Sequence, residues 1–179
     1  MRAYIFVSYS RHDAQVVSQL VRLLRSAIAG VPSVTGREWQ FVFQDTDHIP
    51  VGSNWEEQID LAITSAGRMF VFWCEHSASS AQVRREYELG VKSNIVVAPV
   101  LVDDTPLPDV LSRINGIDLR ELRIHGPYRR RAFPRPGERS PERILSEGFS
   151  TALGVDPNAM LTNLHGHELG KLLECGGFR

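Results

Sequence analysis

At 179 residues the chain is long enough for one domain with a substantial core and too short for two. Hydrophobic residues make up 42% and charged residues 23%, an ordinary globular composition, and a formal charge of -1 offers no basic face of the kind that nucleic acid requires. Cys74 and Cys175 lie far apart, with neither redox nor metal-ligand spacing, a usage that fits a reducing compartment.

Met1 to Val7 is apolar too briefly for a signal peptide, and no run approaches membrane-spanning length. The expected location is the cytoplasm, with no membrane and no nucleic acid among the partners. Residues 3–7 predict a strand. Asp13 is expected as the N-cap of a helix on which Val16, Val17, Leu20, Val21, Leu24 and Ile28 recur at helical spacing, and Gly30 can end it. Trp39 to Phe43 predict a second strand. After a polar loop through Pro50 and Gly52, Ser53 is the expected cap of a helix carrying Trp55, Ile59, Ala62, Ile63 and Ala66 on one stripe.

Met69 to Trp73 predict a third strand. Ser77 to Ser80 offer caps for a helix through Val83, Tyr87 and Val91. Ile95 to Val102 is apolar throughout, as in a strand covered on both faces. A short helix is expected within Leu107 to Ile114, and an edge strand within Gly116 to Leu122. Ser140 and Pro141 then open a helix bearing Ile144, Leu145, Phe149 and Leu153, ended by Gly154.

Strands alternating with helices imply right-handed crossovers and an α/β fold. The class read here is a flavodoxin-like, five-stranded parallel sheet with helices on both faces. Residues 1–154 form the domain, with a loop insertion at about 125–139 that holds Arg129-Arg130-Arg131 and three prolines. Residues 155–179 read as a C-terminal tail, weakly helical or a linker, broken by Gly166, Gly170 and Gly176-Gly177. Ligands of such sheets bind outside the carboxyl ends of the strands. Those ends are Ser8–Arg11, Gln44–Asp47, Trp73–His76 and Asp103–Asp104.

Three of the motifs, in order, resemble the TIR (Toll/interleukin-1 receptor) domain family over about Ala3 to Leu153. The first is Ile5-Phe6-Val7-Ser8-Tyr9-Ser10-Arg11-His12-Asp13, similar to the family's strand ending in a serine–tyrosine pair. The second is Val42-Phe43-Gln44-Asp45 with the loop to Gly52 and the helix starting Ser53-Asn54-Trp55, a tryptophan pattern similar to the bacterial branch. The third is Ser77-Ala78-Ser79-Ser80-Ala81-Gln82-Val83-Arg84-Arg85-Glu86-Tyr87, matching the serine-rich loop and the glutamate-bearing helix of NAD-cleaving members. Two positions depart from the pattern. Gln82 stands where many relatives carry an aromatic residue, and Cys74-Glu75 replaces the commoner serine–proline. Both border the expected pocket and bear on rate and product.

The resemblance implies a TIR-type fold and one of two functions. One is an NAD glycohydrolase or cyclase, releasing nicotinamide and ADP-ribose or a cyclic ADP-ribose isomer, in bacterial antiphage immunity or virulence. The other is a non-catalytic module that binds other TIR domains. NAD is then a substrate, and no cofactor is implied. Self-association through the loop Thr46, Asp47, His48, Ile49, Pro50, Val51 and Gly52 is expected to complete the pocket, and a separate effector is a further partner if the nucleotide product is a signal.

The chemistry asks little of the protein. Nicotinamide departs neutral from a cationic pyridinium and needs no general acid, so one carboxylate facing the oxocarbenium ion suffices. Glu86 is the candidate. Read on composition alone it is a solvated glutamate beside Arg84, Arg85 and Glu88, a reading that the motif match reverses.

Among the candidate substrate-binding residues, Arg11 or Ser10 would contact phosphate or ribose, although Arg11 reads equally as a surface charge. Ser8 reads more simply as bonding loop backbone. Asp45 would orient its loop through backbone N–H groups rather than touch ligand. Trp55 has a stacking role or a core role, the second being commoner. Trp73 and Cys74 would wall the nicotinamide pocket, and Cys74 lacks the neighbouring base of a nucleophile. His12, His48 and His76 have no recognised cage spacing and read as solvated loop histidines, so no metal is expected. Arg129-Arg130-Arg131 reads as a solvated loop run. A phospho-receiver is excluded by Ser8-Tyr9-Ser10-Arg11 and Trp73-Cys74 where acidic residues should stand. A glycine-rich dinucleotide fold lacks its turn after the first strand.

Overall fold

The computed structural model describes residues 2–34, 36, 38–43, 54–122, 137 and 139–165. Five parallel strands form one sheet in the order β2-β1-β3-β4-β5. They are β1 (Arg2–Ser8), β2 (Glu38–Phe43), β3 (Arg68–Trp73), β4 (Val96–Leu101) and β5 (Ile117–Asp118). β1 pairs with β2 from Arg2 opposite Glu38 to Val7 opposite Phe43, and with β3 from Ile5 opposite Arg68 to Ser8 opposite Val71. The class expected from the sequence is thus the one observed.

The helices are α1 (Ala14–Ile28), α2 (Trp55–Thr64), α3 (Glu75–Ser79), α4 (Ala81–Lys92), α5 (Asp109–Ser112), α6 (Pro141–Leu153) and α7 (Pro157–His165). Alternation along each strand divides them into two layers. Ile5 and Val7 of β1, with Phe70 and Phe72 of β3, pack against α1, α6 and α7. Phe6, with Met69, Val71 and Trp73, packs against Ile59 and Ile63 of α2, Val83 and Tyr87 of α4, and Leu111 of α5. Both faces are covered, as a parallel sheet demands.

Several local expectations need correction. The cap of α2 is Asn54, whose side chain accepts from the Glu56 N–H at 3.2 Å, while Ser53 lies outside the described residues. Ser77 to Ser79 are not loop caps but part of α3, leaving Ser80 to cap α4 through the Val83 N–H. Val91 is exposed on α4, and Val96 is exposed where β4 begins. The fifth strand keeps only Ile117 and Asp118, because Arg120–Leu122 coil into a single 3-10 turn and leave the ladder. Ser140, Pro141 and Gly154 bound α6 as expected, with Gly154 in the left-handed conformation at φ 63°. The stretch read as a weakly helical tail contains α7, and its Met160 and Leu164 are fully buried in the α1–α6 layer. No helix among the described residues is long and apolar enough to cross a membrane.

Candidate functional site

Strand parity decides where the end of β1 points. Ser8 lies on the same face as Phe6, toward α4, whereas Val7 and Tyr9 enter the α1 layer. On α4 the buried residues are Val83, Glu86, Tyr87 and Gly90, the i, i+3, i+4, i+7 stripe of a helix lying on a sheet. Glu86 therefore sits within the buried stripe, with 0% exposure, rather than in solvent beside Arg84, Arg85 and Glu88.

A buried carboxylate needs hydrogen-bond donors in place of water. Ser8 Oγ donates to Glu86 Oε2 at 2.6 Å, and Gln82 Nε2, one turn earlier on α4, donates to Oε1 at 3.2 Å. Each oxygen is held from a different element, so the plane of the carboxylate is fixed. Ser8 is itself fully buried and bonds the side chain of Glu86, rather than loop backbone as its simpler reading held. Gln82, which the sequence marks only as a departure from the family pattern, supplies the second of these donors. Its spacing of four residues before Glu86 is the signal that could have found it.

Arg11 and Trp55 meet at the same edge of the sheet. The guanidinium carbon of the exposed Arg11 lies 5.8 Å from the centroid of the half-buried Trp55 ring, at the first residue of α2. Ser10 is 4% exposed, and its carbonyl accepts from the Asp13 N–H at 2.8 Å. Trp73 lies in the core, 3% exposed, edge-on to Tyr87, with its indole N–H donating to the Pro106 carbonyl. Asp45 and the loop from Thr46 through Asp47, His48, Ile49, Pro50 and Val51 to Gly52 lie outside the described residues, as does Arg129-Arg130-Arg131.

On the α1 side, Asp13 is only 5% exposed and occupies the cap position, but its side chain makes no capping bond. It is turned instead to β3 and α3. Cys74 Sγ donates to Asp13 Oδ2 at 3.1 Å, and His76 Nδ1 lies 2.9 Å from Asp13 Oδ1. Burial, with the Asp13 carboxylate beside it, pushes the Cys74 thiol up to about 12, so the thiol is protonated and poorly nucleophilic at neutral pH. The hydrogen bond to Asp13 raises the His76 imidazole above its ordinary value. His12 and His76 stand with ring centroids 5.2 Å apart, so two of the three histidines considered together in the sequence do meet. Asp103 at the end of β4 caps α3 by accepting from the Glu75 N–H, and Asp104 pairs with Arg120.

A family model for the TIR domain matches residues 5–131 of the chain. Among solved structures, the TIR domain of the Toll-related receptor TRR-2 from Hydra magnipapillata is similar at 20% identity and a TM-score of 0.52. That match covers 65% of this chain and 83% of the receptor domain. The TIR domains of the activated Roq1 resistosome, which directly recognises the pathogen effector XopQ, are similar at 16% identity and a TM-score of 0.53, covering 84% of this chain and 99% of that one. At these identities the likeness to the two structures is one of fold. No curated protein sequence matches the chain.

Proposed function

The chain belongs to the TIR domain family, and from that membership together with the held carboxylate of Glu86 we propose that it cleaves the nicotinamide–ribose bond of NAD. The observation that carries the reading is the contact set of Glu86, fully buried at the carboxyl edge of a parallel sheet with Ser8 and Gln82 donating to its two oxygens. A buried titratable group with dedicated hydrogen-bond partners at a sheet edge is a candidate functional group.

The chemistry follows from the substrate. The pyridinium leaving group carries its own positive charge and departs as neutral nicotinamide, while positive charge builds on the ribose. A carboxylate fixed in a low-dielectric site stabilises that charge without having to reorganise. Ser8 and Gln82 are positioning residues in this scheme, since they act through Glu86. Arg11, stacked against Trp55, offers an exposed guanidinium at the same edge for phosphate oxygens. Water as acceptor gives ADP-ribose, and an internal acceptor of the substrate gives a cyclic isomer.

The same reading places the protein in the cytoplasm of a bacterium, in antiphage immunity or virulence. Self-association through Thr46–Gly52 switches it on, and a separate effector senses the product. The second reading is a non-catalytic interaction module. Its specific support is the 0% exposure of Glu86, which leaves that carboxylate closed to solvent in a single chain.

One experiment separates the two. Concentrated protein is incubated with NAD, and nicotinamide release is followed by chromatography for the parent, Glu86→Ala and Glu86→Gln. The expected result is release by the parent alone, with Glu86→Gln still folded because the amide keeps the shape of the side chain. Absence of release at every concentration, or release undiminished in Glu86→Gln, would overturn the enzymatic reading.

A further inference from the structure

Asp13 and His76 have no role in the reaction proposed for Glu86, and the thiol of Cys74, a residue expected at the wall of the nicotinamide pocket, is bonded to Asp13. The three come from the turn between β1 and α1 and from the segment that leaves β3 and enters α3, separated by 61 and 63 residues in the chain. One ligand-type atom from each lies within 4.8 Å of the other two. We propose that these three side chains form a binding site for a divalent transition-metal ion of the zinc class.

The donor set favours that class. A thiol sulfur, an imidazole nitrogen and a carboxylate oxygen together suit a borderline-soft ion, whereas magnesium and calcium prefer sites built from oxygen alone. The donors are also within reach of a single ion. Zinc with ligand bonds of about 2.0–2.3 Å in tetrahedral geometry separates sulfur from oxygen by about 3.6 Å and nitrogen from oxygen by about 3.4 Å. The observed contacts reach different oxygens of Asp13, sulfur to Oδ2 at 3.1 Å and Nδ1 to Oδ1 at 2.9 Å, so binding at one oxygen requires the carboxylate to turn as three donors already within 4.8 Å of one another close around the ion.

The surroundings fit too. Asp13 is buried with its side chain withheld from helix capping, and Cys74 is 1% exposed, so two ligands are already desolvated and positioned. The His76 side chain, 39% exposed, gives an ion its way in. The fourth position then lies toward solvent, where the His12 ring stands beside that of His76. Binding sends the thiol proton to solvent and leaves the thiolate on the metal, and the Nδ1 proton that faces Asp13 is displaced as well, so that His76 binds through Nδ1 as a neutral imidazole with its one proton on Nε2. Coordination would tie the turn after β1 to the end of β3 on the α1 side of the sheet.

The test is titration of metal-free protein with Co2+, a spectroscopic stand-in for zinc, followed by displacement with Zn2+. The expected result is one equivalent per chain, with a sulfur-to-cobalt charge-transfer band that Zn2+ abolishes. Cys74→Ser should remove the band. His76→Gln alters a partly exposed side chain, keeps the fold by circular dichroism, and should weaken Co2+ binding at least about tenfold. Should Cys74→Ser fail to fold, the His76→Gln titration decides alone. The proposal is overturned if saturating Co2+ gives no charge-transfer band, if the band survives in Cys74→Ser and so belongs to Cys175, or if folded His76→Gln binds Co2+ as tightly as the parent.

Discussion

Replacing Ser8 by alanine isolates the contact on which the candidate site depends. The change deletes one oxygen at a fully buried position and removes the 2.6 Å donor to Glu86 Oε2. The strand loses none of its ladder bonds, because the backbone is unaltered. A hydrogen bond to an ionised group contributes about 1.5–3 kcal/mol, and a buried acceptor robbed of its donor carries a desolvation penalty of similar size. We therefore expect a loss of about 1.5–3 kcal/mol, which for a domain of this length lowers the melting temperature by roughly 3–12 °C. Urea unfolding provides the assay, with a shifted midpoint and an unchanged slope. A double-mutant cycle with Glu86→Gln tests the partner, and the coupling between the two changes should reach about 1 kcal/mol or more. A Ser8→Ala variant within about 0.5 kcal/mol of the parent, or a cycle with no coupling, would refute the claim that Ser8 holds this carboxylate.

Further outcomes follow from other contacts. A Cβ added at Gly116 would lie 2.8 Å from the Pro99 carbonyl oxygen of β4, so Gly116→Ala should cost about 1–3 kcal/mol in thermal unfolding. The Cys74 thiol should resist alkylation at neutral pH in the folded protein and react once denatured, as peptide mapping by mass spectrometry would show. The Arg120 guanidinium, by hydrogen bonding, holds the Asp118 carboxyl below its usual 3.8. Its stabilisation is present above that pH and is lost as pH falls through the lowered value, so parent and Arg120→Gln should differ modestly near neutrality and converge in strong acid.

The layered sheet was legible because each run of apolar residues carried a period. The helical stripes of α1 and α6 and the apolar β3 left little choice of element, and alternation of strand with helix implied a parallel sheet. β5 was overestimated because its apolar residues, Ile117, Leu119 and Leu122, are buried whether the backbone is extended or turned, so hydrophobicity alone does not separate the two. Glu86 was legible through a motif, since its composition and its charged neighbours argue for solvent. Its partner Ser8 was named, but the contact spans 78 residues, and no local pattern encodes such a pairing. Asp13 shows the opposite limit. A capping residue type in a capping position made the local reading sufficient, while the side chain had been claimed by Cys74 and His76 across the fold.

The separation between Ser8 and Glu86 also has a meaning in time. β1 leaves the ribosome long before α4, and the serine hydroxyl has no carboxylate to meet until the intervening strands and helices have been made and laid beside it. Closing a loop of that length is an entropic hurdle crossed only when the sheet rewards it. A chain stalled during synthesis, or one whose α4 has peeled away, thus carries both residues and lacks the oriented carboxylate. If that group cuts a nucleotide the cell needs for itself, an unfinished molecule is a harmless one.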